Sequence, residues 1–176
     1  MHRAVLPGAY RSGPDFEAAA LPYGSSGMRL YAILPAPGKA PEEVLKKISV
    51  EKLRSPSQPN ELDLKLPRFT LDFSAGLKGP LAQMGMDPAF HPGANFAPMG
   101  SPLFYIGEVL HKTRLEVDEE GTVAAAATGV AVFLSAFHQP KVQKKTLVFD
   151  KPFAVLLCDI QTGAVLFAGV IYDPQP

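Results

Sequence analysis

Residues 62–73, LDLKLPRFTLDF, carry a strand pattern that changes phase in the middle. Leu62, Leu64 and Leu66 alternate with polar residues, whereas after Pro67 the apolar positions become Phe69, Leu71 and Phe73. Side chains along a strand alternate between faces, so a one-residue slip moves the apolar set to the opposite face. Proline cannot donate to a ladder, which makes it a natural place for a bulge or bend. The stretch predicts a strand that turns at Pro67 and passes from one sheet to another.

The rest of the chain suits that reading. Eighteen prolines and fifteen glycines are spread over 176 residues, which implies many turns between short strands. MRLYAIL (28–34) reads as a strand stopped by Pro35-Ala36-Pro37-Gly38. Pro41, followed by Glu42 and Glu43, has the chemistry of a helix start, with acids at the positive end of the dipole. Val44, Leu45 and Ile48 supply that helix with an apolar face, and Lys46 and Lys47 point away. SPSQPNE (55–61) is a turn-rich linker, and Leu77, Leu81 and Met84 predict a short helix stopped by Gly85. Pro80 limits how early it starts. PLFYIGEVLHKTRLEV (102–117) is first apolar on both faces and then alternates, the pattern of a central strand emerging toward solvent. HQPKVQKK (138–145) reads as a basic loop. FAVLLCDI (153–160) and AVLFAGVIY (164–172), joined by Gln161-Thr162-Gly163, predict a buried antiparallel hairpin. The expected class is α+β, with mostly antiparallel sheets and a few helices.

Composition bounds the function. Hydrophobic residues at 47% and charged residues at 19% describe a globular chain with length for one core. A formal net charge of zero supplies no electrostatic reason to expect nucleic acid or an anionic membrane. AVLFAGVIY, the longest apolar run, is far too short to span a bilayer. No glycine-rich phosphate loop or paired-ligand metal spacing is present, so neither cofactor nor metal is expected. The four histidines, His2, His91, His111 and His138, share no ligand-like spacing. Cys158 lies in an apolar run without an activating base and reads as an inert core thiol. Ser135 has no adjacent base. Lys141, Lys144 and Lys145 read as a solvated basic loop rather than a polyanion site. These features argue against an enzyme.

One stretch is hard to place as either helix or strand: EEGTVAAAATGVAVFLSAF (119–137). Its four alanines favour a helix by propensity, yet Val130 to Phe137 has the uncharged, proline-free profile of a sticky strand. EVDEEGTVAAAATG (116–129) resembles the hinge of a serpin reactive-centre loop. LPYGSSGMRLYAILP (21–35), LKLPRFTLDFSAGLKGPLAQMGM (64–86), HKTRLEV (111–117), FDKPFAVLL (149–157) and VLFAGVIYDP (165–174) match C-terminal segments of that family in order. The resemblance implies a single partial serpin domain over residues 1–176, with the reactive-centre loop at 119–140 and the family's N-terminal half absent. That half, with most of the helices, would be a required partner.

By the same resemblance the protein is an inhibitor of serine proteases. The loop is cleaved as a substrate and then inserts into a sheet as a new strand, carrying the acylated protease with it, a known form of strand addition. Glu119, Glu120, Gly121, Thr122, Ala124, Ala126 and Thr128 would form the hinge. In a strand, Thr122, Ala124, Ala126 and Thr128 share one face, and none of them carries a charge to desolvate. About ten new backbone hydrogen bonds at a net ~0.5–1.5 kcal/mol each would release on the order of 10 kcal/mol. Family spacing puts the reactive bond at Ser135–Ala136, with Leu134–Ser135 as the alternative. No Lys or Arg lies between Leu115 and Pro140, so a protease of chymotrypsin-, elastase- or subtilisin-like specificity is expected rather than a trypsin-like one. His111 matches a family position near where the sheet opens; a core histidine with local hydrogen bonds is an equal reading. The resemblance favours an extracellular setting. The alternative function is a non-inhibitory serpin-like carrier, chaperone or interaction module.

Overall fold

The computed structural model describes residues 2–23, 27–59, 61–100, 104–117 and 144–174. They fall into two compact bodies, one of Met1–Phe69 with Val117–Pro176, the other of Thr70–Glu116.

The first body contains two sheets. Strands β1 (His2–Pro7), β5 (Glu61–Leu66) and β8 (Lys144–Val148) form one, in the order β1-β5-β8. β1 is antiparallel to β5, and β8 is parallel to it. The other sheet is antiparallel throughout and has five strands in the order β10-β9-β4-β3-β2. Its strands are β2 (Tyr10–Gly13), β3 (Phe16–Tyr23), β4 (Met28–Pro35), β9 (Phe153–Asp159) and β10 (Val165–Ile171).

Alternation along these strands builds the core. Phe16, Ala18 and Ala20 of β3, Tyr31 and Ile33 of β4, and Ala154, Leu156 and Cys158 of β9 share one apolar cluster. Helices α1 (Pro41–Lys47) and α2 (Val50–Arg54) bury Val44 and Leu53 in it. α1 starts at Pro41 as predicted, with Lys46 and Lys47 exposed. On the opposite face of β3, β4 and β9, Ala19, Leu30, Ala32, Phe153 and Val155 are buried too, while Glu17 is partly exposed. Phe149 meets Phe153 edge-to-face at 5.0 Å, and Phe69 meets it at 5.7 Å. A sheet apolar on both faces reads as continuous hydrophobic sequence, which is why FAVLLC shows no alternation.

The β9–β10 hairpin forms where the sequence puts it. Asp159 Oδ1 accepts from the backbone N–H groups of Gln161 and Thr162, both at 2.8 Å, and Gly163 supplies a positive φ of 75°. Of its two strands, however, only β9 is buried along most of its length. β10 is an edge strand, with Val165 and Leu166 exposed.

The phase slip also falls where expected. β5 ends at Leu66, Pro67 is buried, and β6 (Phe69–Gly76) belongs to a different sheet. That sheet, in the second body, has two strands, β6 and β7 (Leu110–Val117). Between them lies the short helix α3 (Lys78–Leu81), continued by a wider π-type turn, Ala82–Met86. Gly85 takes a φ of 100°, which breaks the helix as predicted, but Met84 is exposed instead of packed.

Two expectations need correction. The strand predicted over 102–117 begins only at Leu110; residues 104–109 form no strand, and Phe104 and Tyr105 are exposed. A strand apolar on both faces needs a covering layer on each, and among the described residues this body offers one partner strand. In the predicted loop 138–145, Lys144 and Lys145 belong to β8 instead.

Candidate functional site at the flanks of residues 118–143

Leu134, Ser135 and Ala136, the candidate reactive-bond residues, lie outside the described residues. So do the hinge positions Glu119, Glu120, Gly121, Thr122, Ala124, Ala126 and Thr128, and Lys141. The structure places the strand on each side of them: β7 ends at Val117, and β8 begins at Lys144.

On the upstream side, the sequence HKTRLEV alternates as a strand should. Leu115 and Val117 are buried, while Lys112, Arg114 and Glu116 are exposed. Arg114 lies 3.7 Å from Asp72 of β6 and 3.7 Å from Glu116. These pairs are open to water and contribute little, about 0–1 kcal/mol each. Asp72, Phe73 and Ser74 of β6 and Lys112, Thr113 and Arg114 of β7 line an open depression of 430 Å³. His111 is exposed, with its ring edge-to-face with Phe73 at 6.3 Å. The core reading of His111 is therefore wrong for this structure. The approach to β7 is fixed by backbone bonds. Leu77 N–H donates to Val109 O at 2.8 Å, Ile106 N–H donates to Ala89 O at 2.9 Å, and Lys78 Nζ donates to Gly107 O at 3.2 Å. Among the described residues, β7 pairs with β6 and no strand lies along its other edge.

On the downstream side, β8 runs beside β5, with Leu147 buried and Lys144 3.9 Å from Asp63. Lys145 is paired with Glu17 of β3 and sits 5.7 Å from the ring centre of Tyr10 in β2. Tyr10 Oη donates to the same Glu17 Oε1 at 2.5 Å. Burial pushes the Glu17 carboxyl up, but hydrogen bonds from Lys145 and Tyr10 and the Lys145 charge outweigh it and leave the group below its ordinary value. The bond to Glu17, opposed by partial burial, raises Lys145. The Tyr10 hydroxyl is raised by burial and by Glu17.

Sequence reasoning missed Tyr10 and Glu17, because nothing local links Tyr10 or Glu17 to a lysine beyond residue 140. It also missed Arg11. This guanidinium is buried and donates to three backbone carbonyls, Leu53 O at 2.7 Å, Gly8 O at 2.7 Å and Tyr10 O at 2.8 Å. Burial, with help from Arg29, lowers its pKa. Cys158 is a buried thiol whose pKa burial raises, as expected of an inert core cysteine.

Known proteins resemble this chain along most of its length. The family model "Serpin (serine protease inhibitor)" matches residues 3–174. Intracellular coagulation inhibitor 2 of Tachypleus tridentatus is 35% identical over 173 residues, covering 96% of this chain and 41% of that protein. Leukocyte elastase inhibitor of Bos taurus is 34% identical over 164 residues, covering 88% of this chain and 42% of that protein. Among solved structures, the native-state thermophilic serpin tengpin superposes with a TM-score of 0.73 at 26% identity, covering 97% of this chain and 45% of that one. The chain thus spans less than half the length of these proteins.

Proposed function

The chain belongs to the serpin family, and from that premise we propose that it is part of a suicide-substrate inhibitor of serine proteases in which residues 119–140 are the reactive-centre loop. Serpins are mostly protease inhibitors rather than enzymes, and several named relatives are inhibitors: of coagulation, of leukocyte elastase and of plasminogen activator. Residues 1–176 form one partial serpin domain, completed by the portion that longer relatives carry. A protease of chymotrypsin-, elastase- or subtilisin-like specificity attacks the Ser135–Ala136 bond, or Leu134–Ser135, and forms an acyl-enzyme on the residue before the cut.

One observation supports this reading above the others. The candidate hinge continues from β7, a strand whose second edge is unpaired among the described residues. A hinge that leaves β7 and folds back would lie along that edge, where it finds a row of unpaired backbone groups. Thr122, Ala124, Ala126 and Thr128 then present small side chains to one face, so insertion strains no packing and strands no charge. His111 lies on the same strand, near where that edge would open. The strand on the far side of the inserted loop comes from outside residues 1–176.

Substitution at the hinge tests the proposal. In the complete protein, Thr122→Arg would force an unpaired cation into the sheet at insertion. Cleavage by chymotrypsin should persist, and the denaturant-stable complex should fall at least about tenfold, a change of ~1.4 kcal/mol in the partition between trapping and hydrolysis. Equal complex yields from mutant and parent on a denaturing gel would refute hinge insertion and favour a carrier or interaction role.

A further inference from the structure

Of the two strands that flank residues 118–143 in sequence, β8 is the shorter and has fewer buried residues. β8 has five residues, lies at the edge of its sheet and shares a ladder only with β5 among the described residues. Within it only Leu147 is buried, while Lys144 and Thr146 are exposed. A short edge strand with one buried side chain frays readily from its open end.

At that end Lys145 crosses from the three-stranded sheet to the five-stranded one. Its ammonium takes the Glu17 carboxylate of β3 while lying over the face of Tyr10 from β2. Tyr10 is itself buried and holds the same carboxylate oxygen through its hydroxyl. Three side chains from three strands of two sheets therefore restrain each other, and a fixed tyrosine limits the freedom of the other two. The Lys144–Asp63 pair lies within the three-stranded sheet and cannot substitute for this link.

We propose that Tyr10, Glu17 and Lys145 form a clamp that keeps the start of β8 attached to the five-stranded sheet. They are positioning residues for β8. Their consequence for protease attack rests on the reactive-loop reading above, whereas the clamp itself does not.

Hydrogen–deuterium exchange on the full chain tests the clamp without any protease. In Glu17→Gln, amides of residues 145–148 should exchange about fivefold faster, as expected for losing a partly exposed charge-assisted pair. Tyr10→Phe should give a smaller rise, and the reversed pair Glu17→Lys with Lys145→Glu should recover most of the protection. Exchange in β4 and β9 should not change in any variant. Unchanged β8 exchange in Glu17→Gln, or an equal rise in β4 and β9, would overturn the proposal. Chymotrypsin digestion of the same samples separates the two readings. Altered β8 exchange without cleavage at 134–136 would uphold the clamp and refute the reactive loop, whereas unaltered β8 exchange would refute the clamp whether or not cleavage occurs there.

Discussion

The five-stranded sheet and the two-stranded sheet are both made of alternating, β-prone sequence, yet they differ in how far their surfaces are satisfied. In the five-stranded sheet, β3, β4 and β9 bury both faces, and α1 and α2 cover one of them. Its β2 edge is also partly closed: Ser57 N–H donates to Tyr10 O at 2.9 Å, and Ser12 N–H donates to Ser57 Oγ at 3.0 Å. In the two-stranded sheet most of β6 is exposed, including Phe73, and so is the first half of β7. A two-stranded ribbon by itself buries little, and among the described residues these two strands have no further partner strand. Among the described residues, the first sheet is covered over most of its area and the second is not.

That contrast can be broken by mutation. Phe153→Ala removes a ring with no exposure, shared with Phe149 and Phe69, and should cost about 3–5 kcal/mol. Phe73→Ala acts on a ring 54% exposed and should cost less than about 1 kcal/mol. Urea denaturation of both variants measures the difference. Similar losses would mean that the two sheets are equally complete.

Arg11→Met sharpens the comparison at the closed edge. It keeps the apolar stem but takes the Arg11 donor from the carbonyls of Leu53 and Gly8 and leaves Tyr10 O with Ser57 N–H alone of the two. A loss of about 2–3 kcal/mol is expected by the same denaturation measurement. A neutral result would show that water reaches these carbonyls and that the β2 edge is less closed than its geometry suggests.

The smallest effect is the pH response of the Glu17–Lys145 pair. Glu17 lies below its ordinary 4.5, so its contribution is present above that pH and is lost as pH falls through the depressed value. Lys145 lies above its ordinary 10.5, so its contribution is present below that pH and is lost as pH rises through the raised value. Both side chains are about one-third exposed, so screening holds the effect under about 1 kcal/mol. The acid-side loss should disappear in Glu17→Gln when thermal midpoints are compared across pH. The same slope in parent and variant would assign it to other carboxylates.

Much of the fold was legible because its signals are local. The slip at Pro67, the helix start at Pro41 and the hairpin turn at Gln161-Thr162-Gly163 each announce themselves within a few residues. What stayed hidden depends on distant partners. FEAAALPY looks helix-prone by its alanines, but β3 buries Ala18, Ala19 and Ala20 between β2 and β4, where small side chains fit. Lys144 and Lys145 read as the end of a basic loop until Asp63 and Glu17 are seen beside them. Residues 104–109 looked like a buried strand because sequence records apolarity but not whether a cover is present. At the candidate site, the flanking strand β7 was legible from its alternation. The candidate hinge and reactive bond, outside the described residues, rest on resemblance alone, since 119–137 carries no single periodicity.

The most direct test is the mass of what chymotrypsin releases from the complete protein. If residues 119–140 are the reactive loop and β7 receives the hinge, a denaturant-stable covalent complex should form. The freed C-terminal peptide should begin at Ala136 or, for the alternative bond, at Ser135. Cleavage without any complex, or a peptide beginning after Lys141 or Lys145, would contradict it.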